Sequence, residues 1–218
     1  MVIWLVIVDG LFAAAAATSS TDVSDLKSVT GVTPLTLDLY IWMIFAAIFT
    51  CSGMIISAQN QIISERKSGT AAWVMSKPVT ASAFLFAKCG VLPKLLFTQV
   101  GTPFAVALII IGDLNGKLPS PASLLFALGI AVGLNVLFYV LTLLLGTLFH
   151  NQAPVLAISF LALLVVLQSL AGTVLLSMVV DIELGHSAIP ALMTLVGIFL
   201  LATLALWGAV LRFEHEEF

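Results

Sequence analysis

Four neutral polar side chains stand inside long apolar stretches of this 218-residue chain, and they are candidates to bind or guide a ligand. They are Gln99, Asn135, Tyr139 and Gln168. Asn135 and Tyr139 are four residues apart, so they share one face if the segment is helical. Amide and phenol groups donate and accept hydrogen bonds but supply no strong acid or base. The pattern leaves two interpretations open, a polar pathway and hydrogen bonding between helices.

The ionisable and sulfur-containing residues show no catalytic or metal-binding arrangement. His150, His186 and His215 fall in separate polar segments of the sequence. Cys51 and Cys89 form no CxxC pair, and their apolar surroundings favour buried thiols over a disulfide. The phosphate-binding pattern GxxxxGK[S/T] does not occur in the chain. The sequence therefore predicts a protein that is not an enzyme and binds no metal or cofactor of its own.

The composition indicates that lipid surrounds most of the chain. Hydrophobic residues make up 61% of the sequence and charged residues only 9%. Mean hydropathy is +1.20. Soluble domains carry about 25% charged residues and could not hide so much apolar surface. The net charge of −3 is small, and no basic face suggests a nucleic-acid partner.

Apolar stretches that could form membrane-spanning helices follow one another along the chain. A spanning helix needs about 20 mainly apolar residues. Six stretches meet or approach this length: residues 1–18, 39–58, 92–111, 122–148, 154–179 and 188–211. The connections between them contain Gly, Pro, Asp, Asn and Ser, which interrupt helices. We predict an all-α integral membrane protein with six transmembrane helices in a single transmembrane domain, residues 1–218.

Some details of these spans have more than one interpretation. Residues 1–18 lack a basic flank, which favours a retained first span over a cleaved signal peptide or a displaced start. Lys94 would lie deep in the membrane if the third span began at residue 83, so we place the start of its lipid-embedded part near residue 92. Gly129 and Gly133 form a GxxxG motif, which allows close helix contact within the chain or between two copies.

The basic residues predict the orientation of the spans. One set of alternate connections, with the segment after the last span, contains Arg66, Lys67, Lys77, Lys88 and Arg212. The other set contains only Lys27 and Lys117. Cytoplasmic connections carry the excess of lysine and arginine. We therefore expect the first set to be cytoplasmic, with both termini on that side.

Residues 65–88, ERKSGTAAWVMSKPVTASAFLFAK, concentrate charge between two apolar spans. Thr70 can cap a short helix, AAWVMS. Lys77 precedes Pro78, a position that disfavours the helical conformation, so the helix ends there. A helix this short is not stable alone in water and must pack on something. Its tryptophan and methionine suit either the membrane interface or a pocket on a cytosolic partner.

The order of residues in this segment resembles the cytoplasmic segment after the second span in permease subunits of the ABC-2 transporter family. The family pattern is roughly E-x-x-x-G-T, a hydrophobic patch, then (S)-K/x-P-V/I-S/T and a lysine some ten residues further on. The matching residues are Glu65, Gly69, Thr70, Lys77, Pro78, Val79, Thr80 and Lys88. Ala81 stands where the family usually has arginine.

The resemblance implies a permease subunit that works with a separate ATPase. Two permease subunits, identical or different, would form the pathway for an unidentified substrate, and two cytosolic ATPase subunits would bind ATP and Mg²⁺. Residues 59–91 would be the coupling segment, with a short cytoplasmic helix between spans 2 and 3. The residues implied in coupling to the ATPase are Glu65, Gly69, Thr70, Trp73, Met75, Lys77 and Pro78. The resemblance also implies a multi-pass protein of the prokaryotic plasma membrane.

Two other classes of function are compatible with the sequence. A non-transporting structural or assembly subunit of a larger membrane complex would fit the scarcity of charge within the spans. An integral membrane enzyme would need polar catalytic groups clustered at the interface, and the spacing of His, Asp and Cys argues against it.

Overall fold

The structure, a computed structural model, describes residues 10–16, 32–67, 81–149, 151–170 and 173–214. Every regular element in these ranges is helical. After a helical segment at residues 10–16, the helices are α1 (Pro34–Phe45), α2 (Cys51–Lys67), α3 (Ala81–Cys89), α4 (Leu92–Leu96), α5 (Thr102–Asn115), α6 (Pro121–Leu148), α7 (Gln152–Leu170), α8 (Thr173–Glu183) and α9 (Ile189–Glu214). Two π-helical turns, Ala46–Thr50 and Phe97–Gly101, join α1 to α2 and α4 to α5.

Five helical runs are long and apolar enough to cross a membrane. They are Pro34–Gln59, Ala83–Asn115, Pro121–Leu148, Gln152–Ser169 and Ile189–Arg212. By length and composition they make the chain a multi-pass membrane protein, and the predicted all-α class is confirmed. The first predicted span, residues 1–18, lies mostly outside the described residues, so the sixth span stays a prediction.

The first of these helices begins with a sequence-encoded cap. Thr33 and Thr36 form a capping box, in which each side-chain oxygen accepts from the backbone N–H of the other residue, at 3.2 and 2.9 Å. Pro34 occupies the first helical position, where its missing N–H costs nothing. The helix therefore starts before residue 39, the predicted boundary. As a result Asp38, expected in a connection, belongs to α1 and is buried.

Two polar contacts define one end of the bundle. Asn115 Nδ2 donates to Asp38 Oδ2 at 2.7 Å, so the end of α5 lies beside the start of α1. The backbone N–H of Ser120 donates to Glu183 Oε1 at 2.7 Å, which brings the end of α8 to the start of α6. We call this the Asp38 end. The opposite end, where α2 and α6 finish and α3 and α7 begin, is the Lys67 end.

Helix α6 lies at the centre of the bundle and packs on α1, α2, α7, α8 and α9. It contains no charged residue. A Cβ at Gly129 would lie 3.1 Å from Leu195 Cδ2, and one at Gly133 would lie 3.1 Å from Ile198 Cγ2. Both glycines thus allow α9 to approach α6 closely. The GxxxG motif is a contact face within the chain.

The third and fifth predicted spans differ from the helices observed. Residues 90–91 form a turn between α3 and α4, so the run Ala83–Asn115 is interrupted just before residue 92, where the lipid-embedded part was expected to begin. The predicted span 154–179 contains the end of one helix and the start of another: α7 ends at Leu170 and α8 begins at Thr173. Of these two helices, α7 alone is long enough to cross a membrane.

The outer surface of the bundle is apolar. Large hydrophobic side chains that are mostly exposed include Phe97, Ile109, Leu125, Leu161, Met193 and Trp207. A soluble protein rarely exposes so much contiguous apolar surface, whereas lipid accommodates it without cost. Both cysteines are free thiols, and Cys51 is buried, as the sequence predicts.

Candidate functional site

Two neighbouring spans carry π-helical turns that pack against each other. The second turn, Phe97–Gly101, ends two residues before Pro103. Proline has no N–H to donate to the carbonyl of Gln99, four residues earlier, so the α-helical ladder cannot continue there. A π-turn widens the spacing and lets the helix continue beyond this break.

The first π-turn, Ala46–Thr50, is accompanied by side-chain hydrogen bonds to its own backbone. The hydroxyls of Thr50 and Ser52 donate to the carbonyl oxygens of Ala46 and Ile48, respectively. Hydrogen bonds from side-chain hydroxyls to backbone carbonyls compete with the regular backbone hydrogen bonds of the α-helix and bend it. Since π-turns inside α-helices are frequent at functional sites, the place where both turns meet α6 is the candidate site.

Asn135 is fully buried in the middle of α6 and reaches across to the first π-turn. Its Nδ2 donates to Thr50 Oγ1 at 2.7 Å and to the Ala131 carbonyl at 2.8 Å. Its Oδ1 has no hydrogen-bond donor among the described residues. A buried acceptor without a donor costs about 1–3 kcal/mol, so this atom is an exception that needs an explanation.

Gln99, in the second π-turn, lies against Gly53 in α2. A Cβ added at Gly53 would be 2.8 Å from Gln99 Oε1 and 3.3 Å from its Cδ. Only glycine therefore leaves room for the carboxamide at this position. Within the described part of the chain, Gln99 Oε1 is buried and also lacks a donor.

Tyr139 and Gln168, the other predicted pathway residues, have different environments. Tyr139 is buried, and its hydroxyl donates to the Lys88 carbonyl at 2.8 Å, which fastens the end of α3 to α6. Gln168 is exposed on α7 and does not join the cluster. The structure thus brings Gln99 and Asn135 to the junction of the π-turns, places Tyr139 one turn further along α6, and leaves Gln168 on the outer surface.

The residues expected to couple to an ATPase lie at or beyond the end of α2. Glu65 is in the last turns of that helix. Gly69, Thr70, Trp73, Met75, Lys77 and Pro78 lie outside the described residues. Because α2 ends at Lys67 and α3 begins at Ala81, the segment between them connects two helices at the Lys67 end.

Charge is distributed unevenly between the two ends of the bundle. The described basic residues at or near the Lys67 end are Arg66, Lys67, Lys88, Lys94 and Arg212. Lys88 Nζ lies 5.1 Å from the centre of the Phe84 ring, a cation–π contact. The Asp38 end carries Lys117 and the acids Asp38, Asp113, Asp181 and Glu183. This asymmetry is the one from which the sequence predicts orientation.

Several residues that build the site were not identified from the sequence. Thr50 and Gly53 are small residues inside an apolar run, and nothing in the pattern marks them as partners of Asn135 and Gln99. A threonine or a glycine inside a helix is a weak signal by itself. Its role can be recognised only when it is known which helix packs against it. Outside the site, the position of Asp38 within a helix could have been predicted, since Thr33 and the proline after it mark a helix start.

No family model, curated protein or solved structure matches the chain. Among the described residues, no group of three or more His, Cys, Asp or Glu side chains could hold a metal ion. The candidate site is therefore defined by its own geometry: two buried amide oxygens, a threonine hydroxyl and two π-turns in an otherwise apolar bundle.

Proposed function

We propose that this chain is the membrane-spanning permease subunit of an ABC-2-type transporter, which moves an unidentified substrate with the help of a separate cytosolic ATPase. The observation that carries the proposal is the order of residues from Glu65 to Lys88, which resembles the coupling segment of that family. The segment must connect two helices at one end of the bundle, and α2 and α3 meet this requirement.

Under this proposal the Lys67 end faces the cytoplasm of a prokaryotic cell. The basic residues gathered there support this orientation. The helix AAWVMS would lie against the ATPase, which binds ATP and Mg²⁺, and the rigid helices α2 and α3 would carry its movement into the bundle. A second permease copy or a related chain would complete the pathway.

The pathway residues under this proposal are Gln99 and Asn135, with Tyr139 toward the Lys67 end. They are polar groups held inside the bundle, where polar side chains are expensive and commonly serve transport. Gln168, the fourth predicted pathway residue, is exposed on α7 and lies apart from these three.

The proposal is tested by purification of the tagged full-length chain from its native host in mild detergent, with mass spectrometry of the proteins that co-purify. We expect an ABC-type ATPase. Trp73→Ala should release the ATPase, because the large aromatic anchor is lost. Met193→Ala is the control, since Met193 is exposed near the start of α9, at the Asp38 end.

Retention of the ATPase by Trp73→Ala would contradict the role of the short helix. A stable complex that contains other membrane proteins but no ATPase would instead support a structural or assembly subunit. One observation favours that second function: α6, the central helix, carries no charged residue at all.

A further inference from the structure

Helix α7 carries a carboxamide on the outer surface of the bundle. Gln168 is exposed, and its side chain has no hydrogen-bond partner among the described residues. Exposed hydroxyls on the spans behave differently: Ser169 and Thr203 donate to carbonyl oxygens of their own helices at 2.8 and 2.9 Å. A hydroxyl bonded in this way can face lipid. Inside a helix the backbone N–H groups are already used, so the oxygen of a carboxamide finds no donor there.

Gln168 lies at the depth of the middle of α6. Helix α7 begins at the Lys67 end and packs back along α6, and Thr142 and Ser159 share a hydrogen bond of 3.2 Å between the two helices. Gln168 is about 14 Å beyond Ser159, toward the Asp38 end. Since Thr142 is about 32 Å from the start of α6, Gln168 is about 18 Å from that end of a helix about 42 Å long. The amide therefore lies inside the hydrocarbon core, where a polar group without a partner is unfavourable.

Gln168 belongs to a line of exposed residues with the spacing of a coiled-coil seam. Ala157, Leu161, Leu164 and Gln168 follow one another at intervals of four, three and four residues. All four are exposed, Leu161 and Leu164 at 63% each. Alternating intervals of four and three residues keep a stripe facing one partner helix that crosses at about 20°. We call these four residues the α7 stripe.

A second copy of the chain supplies the group that Gln168 lacks. The basic Lys67 end gives all copies the same orientation in the membrane, so two copies are related by an axis along the membrane normal. Residues at equal depth then meet, and each Gln168 amide faces the same amide of the other copy. A carboxamide both donates and accepts, so it is complementary to itself, and α7 carries no charge that a second α7 would repel. A single polar residue in such a seam also fixes the register of the two helices.

We propose that two copies of this chain pair through the α7 stripe, with the two Gln168 amides hydrogen-bonded to each other in the middle of the membrane. The proposed function calls for a second permease chain, and in naming that chain the inference rests on the proposed function. The pairing of α7 and the co-purification of an ATPase are measured separately, so either can fail alone.

Energy transfer between full-length chains that carry donor and acceptor fluorophores tests the proposal in liposomes at a series of protein-to-lipid ratios. We expect the wild-type chain to form a dimer. Gln168→Leu should weaken the dimer about five- to thirty-fold, the range that hydrogen bonds give between model transmembrane helices. Gln168→Asn keeps a carboxamide and should weaken it less. Thr203→Val is the matched control, since it removes an exposed hydroxyl from α9 and should leave the dimer unchanged.

Oxidative cross-linking in native membranes locates the interface. Leu164→Cys should give a disulfide-linked dimer, because residues of the seam face their counterparts. Leu200→Cys, at a position 58% exposed on α9, should not. The wild-type chain shows any background from Cys51 and Cys89.

Three results would overturn the proposal: a wild-type chain that stays monomeric at every ratio, undiminished pairing of Gln168→Leu, or cross-linking through Leu200→Cys instead of Leu164→Cys. A product that joins Leu164→Cys to a different protein would also overturn it, because another chain would then cover α7. If Gln168→Leu fails to fold, the two cysteine variants still decide whether the α7 stripe is the interface.

Discussion

Asn135 and Thr50 are joined by a hydrogen bond of 2.7 Å between the middle of α6 and the first π-turn. Both residues are fully buried. Thr50 passes its own hydrogen to the Ala46 carbonyl, so one chain of bonds connects the amide of one span to the backbone of another. This relationship fixes the contact between the two spans at the candidate site.

Thr50→Val should lower stability, because the variant keeps the shape of the side chain but removes the acceptor for Asn135. The buried N–H would then lack a partner, and we expect a loss of about 1–2 kcal/mol. Thermal unfolding in detergent measures it. Thr203→Val is the control, since Thr203 is exposed on α9 and its hydroxyl bonds only within its own helix. Equal effects of the two variants would contradict the role of the bond.

Gly53→Ala should displace the Gln99 side chain. The new methyl group would lie 2.8 Å from Oε1, so the carboxamide must move, and the cost of this movement offsets part of the gain that alanine makes over glycine in a helix. Gly197→Ala is the matched control: its Cβ would meet nothing within 4 Å, and alanine in a helix gains up to about 1 kcal/mol over glycine. Denaturant or thermal unfolding should therefore show a smaller gain in stability for Gly53→Ala than for Gly197→Ala.

Tyr139→Phe should loosen the turn between α3 and α4. The variant removes the bond from the phenol to the Lys88 carbonyl, together with the side-chain hydrogen bond between the phenol and Gln61, and we expect a loss of about 0.5–1.5 kcal/mol per bond. Hydrogen–deuterium exchange should rise at residues 88–92 and stay constant at residues 116–120, at the other end of the bundle. An unchanged exchange rate at residues 88–92 would show that the phenol does not hold this turn.

Glu183→Gln tests the charge at the start of α6. The glutamine oxygen can still accept from the Ser120 N–H, so the variant removes mainly the attraction between a carboxylate and the positive end of the helix. We expect a loss of about 0.3–1 kcal/mol at low salt that shrinks as salt is added. Asp181→Asn is the comparison, because Asp181 is partly exposed and pairs with His186 at 3.3 Å, away from the helix start. A salt-independent effect would point to geometry instead of charge.

The sequence was sufficient to predict the helical class and the position of most spans, because length and apolarity determine them directly. It also placed Gln99 and Asn135 inside the membrane. It could not say which face of a helix these residues occupy. In lipid both faces of a span are apolar, so hydrophobic periodicity carries little information about orientation. The sequence therefore could not predict that Gln168 lies on the exposed face of α7.

The π-turns and the partners of the polar residues were also beyond prediction. Pro103 predicts an interruption of the α-helical hydrogen bonds. It does not predict whether the helix kinks or forms a π-turn at that point. The role of Thr50 is to accept a hydrogen bond from Asn135, which is distant along the chain. Relationships of this kind depend on how helices pair, and a single sequence does not encode that pairing in any local pattern.

The close contact between α6 and α9 has a consequence for synthesis of the protein. α9 is synthesised after α6, with α7 and α8 between them, so the face of α6 with Gly129 and Gly133 stays open to lipid until α9 has left the ribosome. During that interval the groove can accept any helix with a suitable surface, including one from a neighbouring nascent chain. Leu195 and Ile198 close this groove, and they therefore also protect the growing protein from mispairing.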